Sequence, residues 1–182
     1  MLAVAAIGLG IVSGLLSGGA VSGIAGVRLK YEWAILAAFL AQGVARGRLP
    51  GTVASSASLF VWAAVSLLLA LLLALNFRSA GALIAGAGVL LNLNVVILNH
   101  AMPVVAEASR ASLAAVGAAG GFYHMAGNTT LMAWAGDTIE FGALGGRDLL
   151  SVGDILLVVG VAVMIAAAML NATVDGGPPR AE

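Results

Sequence analysis

Apolar residues in this chain are gathered into long runs rather than alternating, and charged residues fall between those runs. Crossing about 30 Å of hydrocarbon takes roughly 20 predominantly apolar residues in a helix. Four stretches meet that length: residues 1–27, 52–77, 80–98 and 155–174. The first carries no charge, and its lack of a basic start argues against a cleaved signal peptide. The second holds the leucine block around Leu67 to Leu73 and is separated from the third by a short turn with Arg78, so the two predict a helical hairpin. The fourth starts after Asp154 and ends before Gly-Gly-Pro-Pro, a sequence that stops a helix. A fifth stretch, 33–45, spans a bilayer only if Tyr31, Arg46 and Arg48 reach to opposite interfaces.

The pattern therefore predicts an all-α integral membrane protein, a bundle of about five transmembrane helices over 2–24, 32–46, 52–76, 80–98 and 154–174, with the second short or tilted. Residues 99–153 are too diluted by Gly, Asn, Thr, Asp and Glu for a crossing and read as an extramembrane loop or lid, in which 106–119 forms a short helix lying on the membrane. No linker or repeat divides the chain, so all 182 residues form one membrane domain.

Composition agrees with this reading. Of the residues, 62% are hydrophobic and 9% charged, and the mean hydropathy is +1.10. A water-facing domain carries roughly 25% charged residues. Eight basic and eight acidic residues balance, which removes the electrostatic basis for nucleic-acid binding or for clinging to anionic lipid by charge as a primary function. Without cysteine there is no disulfide, thiolate metal site or Cys nucleophile. Five spans with the N-terminus outside place Arg28, Lys30, Arg78 and Arg180 inside against Arg46 and Arg48 outside, which favours an N-out, C-in orientation in the cell membrane.

Lipid supplies no hydrophobic drive between helices, so close backbone approach and hydrogen bonds must supply it. Gly10, Gly14 and Gly18 recur every four residues, continued by Gly19 and Gly23, and predict a packing groove on the first helix. That groove serves either internal packing or a homodimer seam. Asn92, Asn94 and Asn99 fall in or at the end of the fourth span, where a lone amide is costly. Asn92 and Asn99 share a face and Asn94 points nearly opposite. They are read as interhelical glue with Ser13, Ser17, Gln42 or Ser66, or as a ligand site.

Pro103 forces a turn after Asn99-His100-Ala101-Met102. His100 and Met102 with His124 and Met125 form a weak soft-metal constellation, with no ligand-spacing motif behind it. Ser151-Val152-Gly153-Asp154 has the form of a helix capping box. Asp154 is read as a cap, or as a cation or proton site facing Asp137. No phosphate loop, nucleophile elbow or metalloprotease helix is present, and the residues identify no particular cofactor.

The Ser17-Gly18-Gly19 to Arg28-Leu29-Lys30 stretch, Asn94-Val95-Val96-Ile97-Leu98-Asn99 followed by Met102-Pro103-Val104, Thr130-Leu131 with Gly136-Asp137-Thr138-Ile139, and Ser151-Val152-Gly153-Asp154 together resemble a family of uncharacterised bacterial multi-pass integral membrane proteins. The resemblance covers most of the chain and departs at His100-Ala101, where glycines are expected. It implies a fold and a cluster of polar motifs at one membrane end, and no reaction. Three functions remain: a non-enzymatic accessory or scaffold subunit acting with other membrane subunits or a second copy of itself; a transporter or channel using Asn92, Asn99, Asp137 and Asp154; and a redox subunit binding quinone, metal or pigment near His100, His124 and Trp134. The segment from 99 to 153 is expected to fold over the bundle with Phe122, Tyr123, Leu131, Met132 and Trp134 packed, bringing Asn99, Met102 and Pro103 toward Asp137, Ser151 and Asp154.

Overall fold

The computed structural model describes residues 2–47, 55–104, 122–143 and 146–175; the helix expected over 106–119 lies outside them. The described chain is mostly helical, with four short strands. Among the described residues there are five α-helices: α1 (Leu2–Leu16), α2 (Glu32–Gly47), α3 (Ser55–Ala74), α4 (Ala80–Asn99) and α5 (Val152–Asp175). Two helical segments, Ala80–Asn99 and Val152–Ala172, are long and apolar enough to cross a membrane; Leu2–Leu16, Glu32–Ala45 and Leu59–Ala74 are shorter apolar helices.

Helix α5 is the hub, with α4 and α1 laid along it, α3 against α4, and α2 against α3. Backbone contact fixes the two central seams. On α4 the face of Gly81, Ala85 and Gly88 meets Gly153, Leu157, Gly160 and Met164 of α5, so the two helices run antiparallel. A methyl group at Gly160 would sit 2.8 Å from Ala85 Cα, and one at Gly88 would sit 2.9 Å from the Leu157 nitrogen. Neither neighbour is a flexible side-chain end, so nothing cheap can move aside. Along the other side, Gly10 faces Ala162 and Ile165, Gly14 faces Met169, and Gly19 and Gly23 lie against Ala168 and Met169. Here α1 runs parallel to α5.

The first apolar stretch is divided rather than forming one helix over 2–24. Gly18 takes φ +84°, its N–H donates to the Leu15 carbonyl at 3.0 Å, and the Gly19 N–H donates to the Gly14 carbonyl at 2.8 Å. This is a Schellman cap, which uses a left-handed glycine to satisfy the last free carbonyls. A side chain at Gly18 would meet nothing within 4 Å, so Gly18 ends α1 and does not extend the face made by Gly10 and Gly14. The chain then donates the Ala20 N–H to the Met169 carbonyl at 3.0 Å and continues as a 3₁₀ turn over Val21–Gly26.

Two apolar clusters fill the bundle. One joins Leu69 and Leu73 of α3 with Ala82, Ala85 and Val89 of α4. The other gathers Trp62, Leu93 and Val96 around Met102, Phe122 and Ala135, which belong to the segment after α4. Much of the outer face is apolar as well: Val4, Phe60 and Trp33 are 70%, 75% and 76% exposed.

The segment between α4 and α5 contains strands where the sequence predicts a loop. Strand β1 (Met102–Val104) pairs in parallel with β2 (Tyr123–Met125), and β3 (Ile139–Ala143) pairs antiparallel with β4 (Gly146–Leu150). Trp62 lies edge-on to Phe122, with ring centroids 5.2 Å apart. That contact ties β2 to the bundle.

Gly160→Ala should therefore cost about 2 kcal/mol, as overpacking at a tight seam does. Gly14→Ala should cost less, because the atom it meets is the mobile sulfur of Met169, 2.6 Å away. Gly8→Ala meets nothing within 4 Å and should be neutral or stabilising by about 0.5–1 kcal/mol from helix propensity. Unfolding midpoints of the three purified variants check this order.

Candidate functional site

The polar residues singled out in the sequence lie mainly at one end of the bundle, where α4 finishes and α5 begins. Asn92 on α4 is buried, as are Ser151 and Asp154 at the start of α5. The Asn92 Nδ2 donates to Asp154 Oδ1 at 3.0 Å, while Ser151 Oγ donates to Asn92 Oδ1 at 2.8 Å. The capping box closes on itself: the Asp154 N–H donates to Ser151 Oγ at 2.9 Å, and the Ser151 N–H donates to Asp154 Oδ2 at 3.2 Å. A carboxylate at a helix start also gains from the free amides and the dipole there. Gly88 and Gly153 permit this geometry, because a side chain at Gly153 would lie 2.5 Å from the Gly88 carbonyl oxygen and 2.6 Å from Asn92 Cγ.

Asn99 does a second job. Its Oδ1 accepts from the Leu131 N–H at 2.9 Å, and its Nδ2 donates to the Leu131 carbonyl at 2.8 Å and to the Val95 carbonyl at 2.8 Å. The amide thus imitates a strand partner for Leu131 while anchoring itself to a carbonyl in the last turn of α4. Asn94 behaves differently: it is exposed and donates only to the Leu90 carbonyl of its own helix, at 2.8 Å. Gln42 and Ser66 do not serve the α4 asparagines. Gln42 Nε2 donates to Ser66 Oγ at 2.7 Å, and that hydroxyl donates to the Trp62 carbonyl.

Asn76 repeats the Asn99 arrangement at the opposite end, and the sequence reading passed over it. Its Oδ1 accepts from the Lys30 N–H at 2.7 Å, and its Nδ2 donates to the Lys30 carbonyl at 3.2 Å and to the Leu72 carbonyl at 2.9 Å. The signal was present in Leu75-Asn76-Phe77, a lone amide closing a leucine run.

Pro103 sits at the centre of β1 because of how that strand is flanked. Met102 N–H donates to the Phe122 carbonyl and Val104 accepts from the Ala126 N–H, both at 2.8 Å, so these residues serve the β2 side. The Pro103 carbonyl faces the other way and accepts from the Asp137 N–H at 2.9 Å. No donor is required of Pro103 there. Met102, Val104 and Asp137 are buried, and the Thr138 N–H donates to the Leu150 carbonyl at 3.2 Å, one residue before Ser151. The segment thus returns to the start of α5. Phe122 is buried and Tyr123 and Met132 partly so, but Leu131 and Trp134 are 53% and 62% exposed, contrary to the expectation that all five pack.

His100 follows α4 in the left-handed conformation, φ 55°, with its side chain exposed. His124 pairs with Pro103, whereas Met125 pairs with Val104, so strand alternation turns His124 to the face opposite Met102 and Met125. Nδ1 of His124 is buried without a hydrogen-bond partner among the described residues. Among those residues, no three His, Asp or Glu side chains are placed to hold a metal ion.

Comparison with known proteins adds one result. Residues 26–166 match the model of a family of unknown function, DUF5317. The chain belongs to that family. No curated protein and no solved structure matches it. The match takes in Asn94 to Val104, Thr130 to Ile139 and Ser151 to Asp154, and leaves Ser17-Gly18-Gly19 outside. In this DUF5317 member the matched region thus contains the Asn92, Asn99 and Asp154 clasps and most of α5.

Asn92→Leu should destabilise the protein by about 3 kcal/mol, since it strips partners from two buried groups, one of them a carboxylate. Asn94→Leu should stay within about 0.5 kcal/mol, and thermal unfolding of the pair separates a clasp from a bystander. His100→Gly should stabilise by about 0.5–1 kcal/mol, because it relieves a left-handed backbone and leaves the bonds of α4 in place. An unchanged or lowered midpoint would show that the His100 side chain does more than end the helix.

Proposed function

We propose that this DUF5317 protein is a multi-pass membrane protein, with the five described α-helices in the bilayer, that works by association as a non-enzymatic accessory or scaffold subunit. The observation that carries this reading is the fate of the polar groups in its helices and at their ends. Asn76, Asn92, Asn99, Ser151 and Asp154 all bond to the protein itself, as expected of groups that organise a bundle rather than receive a substrate. The exposed outer face, including Val4, Phe60 and Leu71, suits lipid or neighbouring helices. Exposed Tyr31, Trp33 and Phe77 stand near Arg28, Lys30 and Arg78, and Trp134 marks the other end; aromatic and basic residues favour membrane interfaces. That placement of the basic residues supports N-out, C-in.

A second reading, a transporter or channel, draws on the break after α1. Irregular backbone at membrane depth is tolerated where it is buried in protein, and interrupted helices mark many transport sites. Ala20 bonded to the Met169 carbonyl is such a place.

Cysteines introduced singly at Lys30 and Gly47, in a chain that has none, should react with an impermeant thiol reagent from opposite sides of the membrane. Protein extracted in mild detergent should run as a complex of fixed stoichiometry, with a second copy or another membrane subunit, and reconstituted liposomes should show no ion flux above empty ones. A lone chain in every mild detergent, or flux abolished by Asp154→Asn with folded yield unchanged, would overturn the scaffold reading.

A further inference from the structure

At the end opposite the Asn92 clasp, a half-open cavity of about 710 Å³ lies between the 3₁₀ turn, the α3–α4 connection and the last turns of α5. Arg28 and Arg78 stand on its walls, with Ser22, Ser79 and Asn171. Both arginines are exposed. Neither has a carboxylate partner among the described residues; Arg78 rests over the Phe77 ring, 5.9 Å from its centroid. The start of α4, Ser79 to Gly81, forms part of the same wall; Ser79 Oγ caps the Ala82 N–H at 3.3 Å, and the helix start carries partial positive charge. The chemistry is that of an anion receptor: two guanidinium forks, hydroxyls and a helix start, without an opposing acid among the residues lining it.

A second cavity of about 240 Å³ adjoins the first, sharing Leu29 and Met164 with it. It is almost wholly apolar, with Glu32 at its rim, and extends along the bundle from Leu29 to Ala3 on one wall and from Met164 to Leu157 on the other. Seven residues of helix correspond to about 10 Å. It exists because α1 and α2 make little contact with each other, so Leu69 and Leu73 of α3 and Val161 of α5 form the floor of an open cleft. An apolar cleft in a bilayer is filled by an acyl chain or by another helix. Its position beside the arginine-lined cavity, with Leu29 and Met164 lining both, favours the acyl chain, since an anionic amphiphile occupies the two at once.

We infer that the protein binds an anionic phospholipid, with the phosphate headgroup between Arg28 and Arg78 and an acyl chain laid in the cleft between α1 and α2. This rests on the membrane reading above and extends it to a specific ligand class. The phosphate oxygens accept from the guanidinium groups in bidentate fashion, and the chain buries apolar surface that α1 and α2 leave uncovered.

The test uses the full chain, delipidated in a neutral detergent, with phosphatidylglycerol, phosphatidylcholine of identical chains, a short-chain phosphatidylglycerol, and inorganic phosphate as probes. Binding is read by native mass spectrometry and by the shift in unfolding midpoint. Phosphatidylglycerol should bind roughly tenfold more tightly than phosphatidylcholine, and Arg28→Gln or Arg78→Gln should each remove most of that preference, about the worth of one charge-assisted hydrogen bond. Arg46→Gln should leave it intact. The short-chain lipid should bind more weakly, and inorganic phosphate should not compete at matching concentration.

Equal binding of the two headgroups by a chain that fractionates with membranes overturns this inference alone, whereas a chain that stays dispersed without detergent overturns the membrane reading beneath it. Full competition by inorganic phosphate would make the site one for a free anion and remove the acyl chain from the account. Quantitative disulfide dimerisation of Leu36→Cys would place a second copy in the cleft, and would also overturn the proposal. Because the lipid series is measured on the unaltered chain, the result does not depend on any variant folding.

Discussion

The architecture depends on how closely α4 and α5 approach. Gly81, Gly88, Gly153 and Gly160 bring the two backbones into direct contact, and everything around them follows from that distance. Only at such separation can the side chain of Asn92 reach both Ser151 and Asp154. Each amide or carboxylate buried there is bonded before it is desolvated, which matters because an unpaired polar group in an apolar interior costs several kcal/mol. Shape and hydrogen bonding are therefore one device: glycines admit the asparagine, and the asparagine fixes the register of the glycines.

The same chemistry recurs wherever a helix must end. Asn76 and Asn99 each sit at or just beyond the last turn of a helix, each returns a hydrogen to the carbonyl four residues back, and each bonds both backbone groups of a distant residue, Lys30 or Leu131. An asparagine side chain carries the donor and acceptor of a peptide group, so it can extend a helix end sideways to hold an incoming chain. One end of the bundle is thereby closed over the segment leading to α5, and the other is pinned at Lys30 beside the arginine-lined cavity.

Much of this was legible in the sequence where a local rule applied. The apolar runs marked the five described α-helices, although the first run is divided after Leu16, and the short stretch around Trp33 to Ala45 is a helix of its own, Glu32–Gly47. The spacing of Gly10 and Gly14 indicated a packing face, and Ser151 with Asp154 indicated a cap. Other features depend on partners far away in the chain. A four-residue glycine period cannot tell a groove from a helix end, so Gly18 looked like a third member of the face. Gly88 and Gly153 acquire meaning only when their two helices are set side by side. The strands around Met102 and Tyr123 are three residues long, too short for alternation to register, and are held by Pro103, Phe122 and Trp62 rather than by propensity. Asn99 holds the backbone of Leu131 and leaves its side chain free to face outward.

Asn92 and Asp154 form one structural unit joining α4 to α5. A double-mutant cycle in thermal or denaturant unfolding, using Asn92→Ala, Asp154→Ala and the pair, measures this directly. A single unit gives a coupling energy of about 1.5–3 kcal/mol, the double variant losing much less than the sum of the two singles. Losses that add to within about 0.5 kcal/mol would mean that the two residues act independently, and the clasp could not be what holds the bundle together.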